Sequence, residues 1–216
     1  MGTDLAMLFD VDGVLLDSGD LFRRVWSAWA AARALDATWV LAHTSGRRTA
    51  DILDQVAPHL DPVTERRTLD AITREHLGEV RPVPGARRLL RDCGGLPWAI
   101  VTSGSRWFVH ESFRANQLPV PAVAVYDDDV RHGKPSPEGY LAAARRLCVP
   151  ACRCVVVEDA PYGIAAAKAA GCTVLAVATT HPPARLRGAD ACMAGLPTVE
   201  ALLRLVRFRE GRQRRD

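Results

Sequence analysis

The sequence predicts an α/β fold, a doubly wound parallel sheet with an all-helical segment inserted after its first strand. Three observations carry this. Five short apolar runs recur along the 216 residues, each stopping at a polar or small residue. The stretches between them have helical periodicity, and strands that alternate with helices build a parallel sheet covered on both faces. After the first run comes a long interval with no strand-like segment. A chain of this length, 48% hydrophobic, buries one sizeable core and leaves room for a smaller appended unit.

The opening strand is residues 5–9, LAMLF, which stops at Asp10. From 18 to 82 the chain is rich in Ala, Arg, Leu and Trp, with helical runs at 20–35, 49–57 and 62–78 and no strand between them. The turn Pro82-Val83-Pro84-Gly85 marks the return to the sheet. The expected organisation is therefore an α/β core of 1–17 and 83–216, with a helical cap at 18–82. Further strands are expected at 98–101, 120–125, 154–157 and 173–177. The last residues, RFREGRQRRD, set five arginines against two acids, and 208–216 reads as a frayed basic tail.

That tail accounts for the whole formal charge of +3, so nothing in the balance calls for nucleic acid or an anionic membrane. The six cysteines contain no Cys-x-x-Cys pair, and only Cys152 and Cys154 are close enough to suggest a metal clip. Free, mostly buried thiols in a reducing compartment are expected. The N-terminus, MGTDLAMLFD, meets an acid before any long apolar run. The expectation is a cytoplasmic protein with neither signal peptide nor spanning helix.

Four polar clusters carry chemistry. DVDGVLLDS, residues 10–18, follows the first strand directly. Ligands of open α/β sheets bind beyond the carboxyl ends of strands, so Asp10 and Asp12 project into such a site. Two carboxylates this close stay charged at low cost only beside a cation, and oxygen ligands suit Mg²⁺. Gly13 lets the backbone turn tightly there. TSGS, residues 102–105, follows a second apolar strand and opens a helix, an arrangement that cradles anions or merely caps the helix. In HGKPSPEGY, residues 132–140, Lys134 precedes two prolines that fix the local backbone. VVVEDAPYGIAAAKAAG, residues 155–171, ends a β-branched strand on Glu158 and Asp159. Those acids either complete an oxygen cage for the same metal or favour the dipole of the next helix.

In this order the four clusters resemble the motifs of the haloacid dehalogenase superfamily over roughly residues 5–180. The position of the helical insertion resembles that of the β-phosphoglucomutase-like subfamily. The stretches VTSGSR, GKPSPEGYL and VVVEDAPYGIAAAKAAGC, with SGRRTADIL in the cap, look most like glycerol-3-phosphate and 2-deoxyglucose-6-phosphate phosphatases. The resemblance implies a Rossmann-like core and a phosphatase that hydrolyses a small sugar or polyol phosphate through an aspartyl-phosphate. It makes Asp10 the nucleophile, Asp12 the general acid and base, Thr102 a holder of a phosphoryl oxygen, and Lys134 the counter-charge. Mg²⁺ is then held by Asp10, the backbone carbonyl of Asp12 and Asp159, with Glu158 as an outer ligand. Ser103, Gly104, Arg47 and Arg48 are the expected substrate contacts, with Arg48 preferred to Arg47. The implied partner is a small phosphate ester, and the implied state a monomer or weak dimer. A sugar phosphomutase shares the core motifs and stands as the alternative. An inactive binding protein on the same fold is disfavoured because every core polar residue is present.

Overall fold

The computed structural model describes residues 5–93 and 95–213, with side chains described as far as residue 204. In chain order the elements are β1 (Ala6–Phe9), β2 (Leu16–Asp17), α1 (Gly19–Ala32), α2 (Ala37–Leu41), α3 (Thr49–Val56) and α4 (Pro62–His76). Next come β3 (Arg81–Pro82), α5 (Ala86–Asp92), β4 (Trp98–Val101), α6 (Arg106–Ala115), β5 (Val123–Val125) and α7 (Glu138–Arg146). The chain continues through β6 (Cys154–Glu158), α8 (Pro161–Ala169), β7 (Thr173–Val177), β8 (Ala191–Met193) and α9 (Leu196–Gln213).

The main sheet has the order β5-β4-β1-β6-β7-β8, and every neighbouring pair is parallel. β1 sits centrally, with Phe9 opposite Ile100 on one side and Val157 on the other. Its alternation divides two cores: Met7 and Phe9 enter one apolar cluster, while Ala6 and Leu8 enter the other. Burying each of the larger side chains stabilises the fold by about 1.5–3 kcal/mol. A strand apolar on both faces needs helices on both, and the alternation of elements supplies them.

The helical insertion begins and ends at a two-stranded antiparallel ribbon, in which Leu16 pairs with Pro82 and Asp17 with Arg81. Two of its helices start on aspartate caps. Asp36 accepts from Thr38 N at 2.7 Å, and Asp61 accepts from Thr64 N at 2.9 Å with Pro62 in the first turn. Trp29 is wholly buried against Trp26, and its indole Nε1 donates to Glu65 at 2.7 Å. Arg33 closes on the same carboxylate with three bonds of 3.0–3.2 Å.

Several boundaries differ from the expectations. The strand expected at 120–125 is only Val123–Val125, because Pro121 has no N–H to give the ladder. The helix expected at 20–35 ends at Ala32, with Ala34 in the left-handed region. That expected at 62–78 ends at His76 and passes into a 3₁₀ turn, Leu77–Glu79. The five-residue α2 and the edge strand β8 are too short for a periodicity to declare them. The backbone of α9 is helical to Gln213, so residues 208–213 of the expected tail are helix, and 214–216 lie outside the described residues. No helix among the described residues is long and apolar enough to cross a membrane. Among the described residues Cys148, Cys152, Cys154, Cys172 and Cys192 form no disulfide. Cys152 is exposed and Cys154 buried, so the two form no clip.

Candidate active site

The carboxyl ends of the strands converge on one cavity of about 540 Å³, roofed by the helical insertion. Asp10 is one residue beyond β1, Thr102 one beyond β4 and Asp159 one beyond β6. Each apolar strand ends where its first polar residue reaches this edge.

Lys134 is the hub. Its Nζ donates to Asp10 Oδ1 at 2.7 Å and to Glu158 Oε1 at 2.5 Å. Glu158, completely buried, has both oxygens occupied. Tyr140 donates its hydroxyl to Oε1 at 2.7 Å, and the backbone N–H groups of Asp159 and Ala160 reach Oε2 at 3.0 and 3.2 Å. Glu158 thus holds the start of α8 through Oε2 and lies in the acidic cluster beside Asp10 and Asp159. Gly163 makes room for it, since a Cβ there would overlap the Glu158 carboxylate.

Asp10, Glu158 and Asp159 each bring a carboxylate oxygen within 4.8 Å of the others. Burial raises the Asp10 carboxyl to about 7; Lys134 pulls it down, while Glu158 and Asp12 push it up. Asp159 is also held well above the ordinary range by burial and by the neighbouring Glu158 and Asp10. Lys134 stays above the usual lysine value, because Asp10 and Glu158 outweigh the burial that opposes its charge. Asp159 Oδ2 accepts from the Thr180 hydroxyl, but Asp159 Oδ1 is buried with no hydrogen-bond partner. An orphaned oxygen in a cluster with more negative than positive charge is what a hard divalent cation satisfies. The group fits a metal.

Asp12 lies across the turn. Ser18 donates to its Oδ1 at 2.5 Å, and burial raises the carboxyl to about 6, against the lowering effects of Ser18 and Lys134. Its side chain is outside the three-carboxylate group. Gly13 has φ +81°, and a Cβ there would strike the Asp159 carboxylate, so glycine is required twice over.

In TSGS, Thr102 Oγ1 accepts from Gly104 N at 2.9 Å, which curls the loop. Ser105 opens α6 without a side-chain cap bond, so the simple capping reading does not account for it. Ser103, Gly104 and Ser105 line the cavity. The Ser103 hydroxyl, however, donates to Gly46 O of the insertion at 3.0 Å, which engages the side chain expected to meet substrate.

The two arginines separate. Arg47 lines the cavity, bonds Gln55 and Asp51 O, and lies over the Tyr162 ring. Arg48, the preferred substrate contact, turns away from the cavity. Its guanidinium is bound by Asp51 and by backbone carbonyls of the loop 127–131. The stretch SGRRTADIL fixes its position along the chain but not the direction of its side chain at the start of α3.

Other residues reach the site without having been singled out from sequence. Tyr140 and Ser18 fix Glu158 and Asp12. Thr179 donates to Gly13 O at 2.5 Å, and His181 meets Asp159 O at 3.1 Å and Ser45 Oγ at 3.3 Å. Thr179, Thr180 and His181 follow an apolar strand as Asp10 and Thr102 do, and that signal was available to find them. Arg66 of α4 pairs with buried Asp127 at 2.5 Å, for which nothing in the local sequence prepares.

Residues 5–171 match the family model of haloacid dehalogenase-like hydrolases. The chain belongs to this family. It is 36% identical to hexitol phosphatase A of Escherichia coli over 197 residues, covering 89% of this chain and 91% of that protein. It is 35% identical to glycerol-1-phosphate phosphohydrolase 1 of Saccharomyces cerevisiae, over 81% of this chain and 75% of that one. The crystal structure of CbbY from Rhodobacter sphaeroides in complex with phosphate superposes with a TM-score of 0.78 at 26% identity, covering 90% of this chain and 95% of the other. Haloacid dehalogenase-like hydrolases generally use a divalent metal, and the Asp10, Glu158 and Asp159 cluster could bind one.

Proposed function

We propose that this chain is a Mg²⁺-dependent phosphatase of small sugar or polyol phosphates, with Asp10 as the nucleophile. The observation that carries the reading is the Lys134 bridge between Asp10 and Glu158 beside the orphaned Asp159 oxygen, on a family background whose relatives include phosphatases of hexitol and glycerol phosphates. Asp10, Asp159 and the Asp12 carbonyl, with Glu158 behind, would hold Mg²⁺, which would supply positive charge to the phosphoryl oxygens and keep Asp10 ionised.

Asp10 attacks phosphorus and the ester oxygen leaves. Asp12, whose carboxyl burial raises to about 6 so that a minor share is protonated at neutral pH and more below it, gives that proton to the leaving alkoxide and then takes one from the hydrolytic water. Lys134 offsets charge on the nucleophile and the transferring group. Thr102 and the amides of 103–105 receive its equatorial oxygens. Residues 18–82 act as a cap that shields the site from bulk water, and Arg47 is one of its arginines that line the cavity, with Arg23 and Arg66. The partner is a small phosphate ester, with the enzyme a monomer or weak dimer in the cytoplasm.

Phosphomutase chemistry is the second reading, favoured by a cavity of about 540 Å³ that Arg23, Arg47 and Arg66 line, room and charge enough for a second phosphate. One experiment separates the two. A panel of a few dozen phosphate esters, assayed with and without Mg²⁺, should yield inorganic phosphate from polyol and sugar monophosphates only with the metal. Isomerised ester without inorganic phosphate would establish the mutase, and no turnover of any ester would refute both.

A further inference from the structure

Arg48 has five hydrogen bonds, none of them to the cavity. Its Nε and Nη2 grip the two oxygens of Asp51 at 2.8 and 2.6 Å, a bidentate fork that fixes the plane of the guanidinium. So oriented, Nη1 donates to Val130 O at 2.9 Å and Asp127 O at 3.3 Å, and Nη2 to Arg131 O at 3.3 Å. From the other side, the Glu138 carboxylate takes the N–H groups of Arg131 and His132 at 2.7 and 2.9 Å. The loop is thus held through its carbonyls by the helical insertion and through its amides by the core. Its next residues are Gly133 and Lys134. Gly133 lies directly under the pair, for a Cβ there would stand 2.5 Å from Arg48 Nε and also strike Asp51.

We propose that Arg48, aimed by Asp51, is a positioning residue for Lys134: it clamps the loop 127–133 onto the cap so that the lysine is in register with Asp10 only when the cap is docked. Arg48 and Asp51 sit at the start of α3, so the clamp exists only while that helix lies against the core. Phosphoryl transfer depends on placement to a fraction of an ångström, which gives a loop contact leverage on the rate without contact with substrate.

The test rests on the phosphatase reading for one of its two readouts. Turnover of p-nitrophenyl phosphate and of glycerol phosphate is measured for the wild type, Arg48→Ala, Arg48→Lys and Asp51→Asn, and hydrogen–deuterium exchange is followed in segment 127–134 of each. Arg48→Ala should lower kcat on both substrates by a similar factor, tenfold or more, with KM nearly unchanged, and should speed exchange in 127–134. Arg48→Lys should not restore the rate, because an ammonium cannot fork onto Asp51 and span the carbonyls together. Asp51→Asn should move both readouts the same way by less, and it decides the matter if Arg48→Ala does not fold. A loss confined to KM for glycerol phosphate would show that Arg48 reads substrate and would overturn the proposal. So would unchanged turnover, or lost turnover with unchanged exchange. A wild type that hydrolyses neither ester would instead remove the phosphatase reading, leaving exchange in the variants to decide the clamp.

Discussion

At the scale of single residues, the site is built from groups that are expensive to bury alone. Asp10→Asn exchanges a nucleophile and anionic ligand for a neutral amide and should lower turnover by at least about a thousandfold. Residual steady-state hydrolysis above that level would falsify Asp10 as nucleophile. Asp12→Ala should harm glycerol phosphate far more than p-nitrophenyl phosphate, whose leaving group needs no proton; equal losses on both would remove the acid role. Tyr140→Phe frees one bond on Glu158 Oε1, which Lys134 also uses. The expected effect is a destabilisation of about 1 kcal/mol, read as a lower Tm, with a several-fold drop in kcat. Asp10, Asp12, Thr102, Lys134, Glu158 and Asp159 were legible in the sequence because each lies at a strand end or in a loop stiffened by proline. Tyr140 was not, because its side chain faces the core from inside α7, where an aromatic reads as packing. The direction of Arg48 was not legible either, since it depends on a carboxylate and on three carbonyls about eighty residues away.

Among the elements, the helical insertion is the one whose stability can be tested apart from the chemistry. Glu65 on α4 takes the Trp29 indole from α1 and the fork of Arg33, the residue that follows α1, so one carboxylate ties two helices together. Glu65→Ala leaves the Trp29 N–H buried without an acceptor and Arg33 without its partner, a cost of about 3 kcal/mol. Thermal unfolding should register that loss while Mg²⁺ affinity, a property of the sheet edge, stays the same; a weaker metal affinity would mean that the two parts are not energetically separable. The long helices and four of the strands were legible because each has an uninterrupted apolar pattern. α2, β8 and the β2–β3 ribbon were not, since two to five residues give no period to read. Pro121 shortened β5 for a reason visible in the sequence, although the apolar run around it invited a longer strand.

The whole molecule couples the charge of its site to its stability. Asp10 is raised to about 7 and Asp12 to about 6, from values near 4 in an unfolded chain. Between those limits the folded, metal-free protein binds more protons than the unfolded one, so these groups make stability fall as pH rises from about 4 to about 7. A divalent cation binds the ionised carboxylates and expels the proton. Saturating Mg²⁺ should therefore raise Tm more at about pH 7.5 than at about pH 5.5, and an equal rise at both would mean that Asp10 does not bind the ion. The central claim, that Asp10 carries the phosphoryl group, has a more direct test. A phosphoryl group on a carboxylate is an acyl phosphate, which borohydride reduces to an alcohol, so enzyme quenched during turnover of glycerol phosphate should carry homoserine in place of Asp10 in its N-terminal peptide. Homoserine at position 10, dependent on both substrate and Mg²⁺, is the result expected here. Steady release of inorganic phosphate with Asp10 unreduced, or with the label at Asp12 or Asp159 instead, would contradict it.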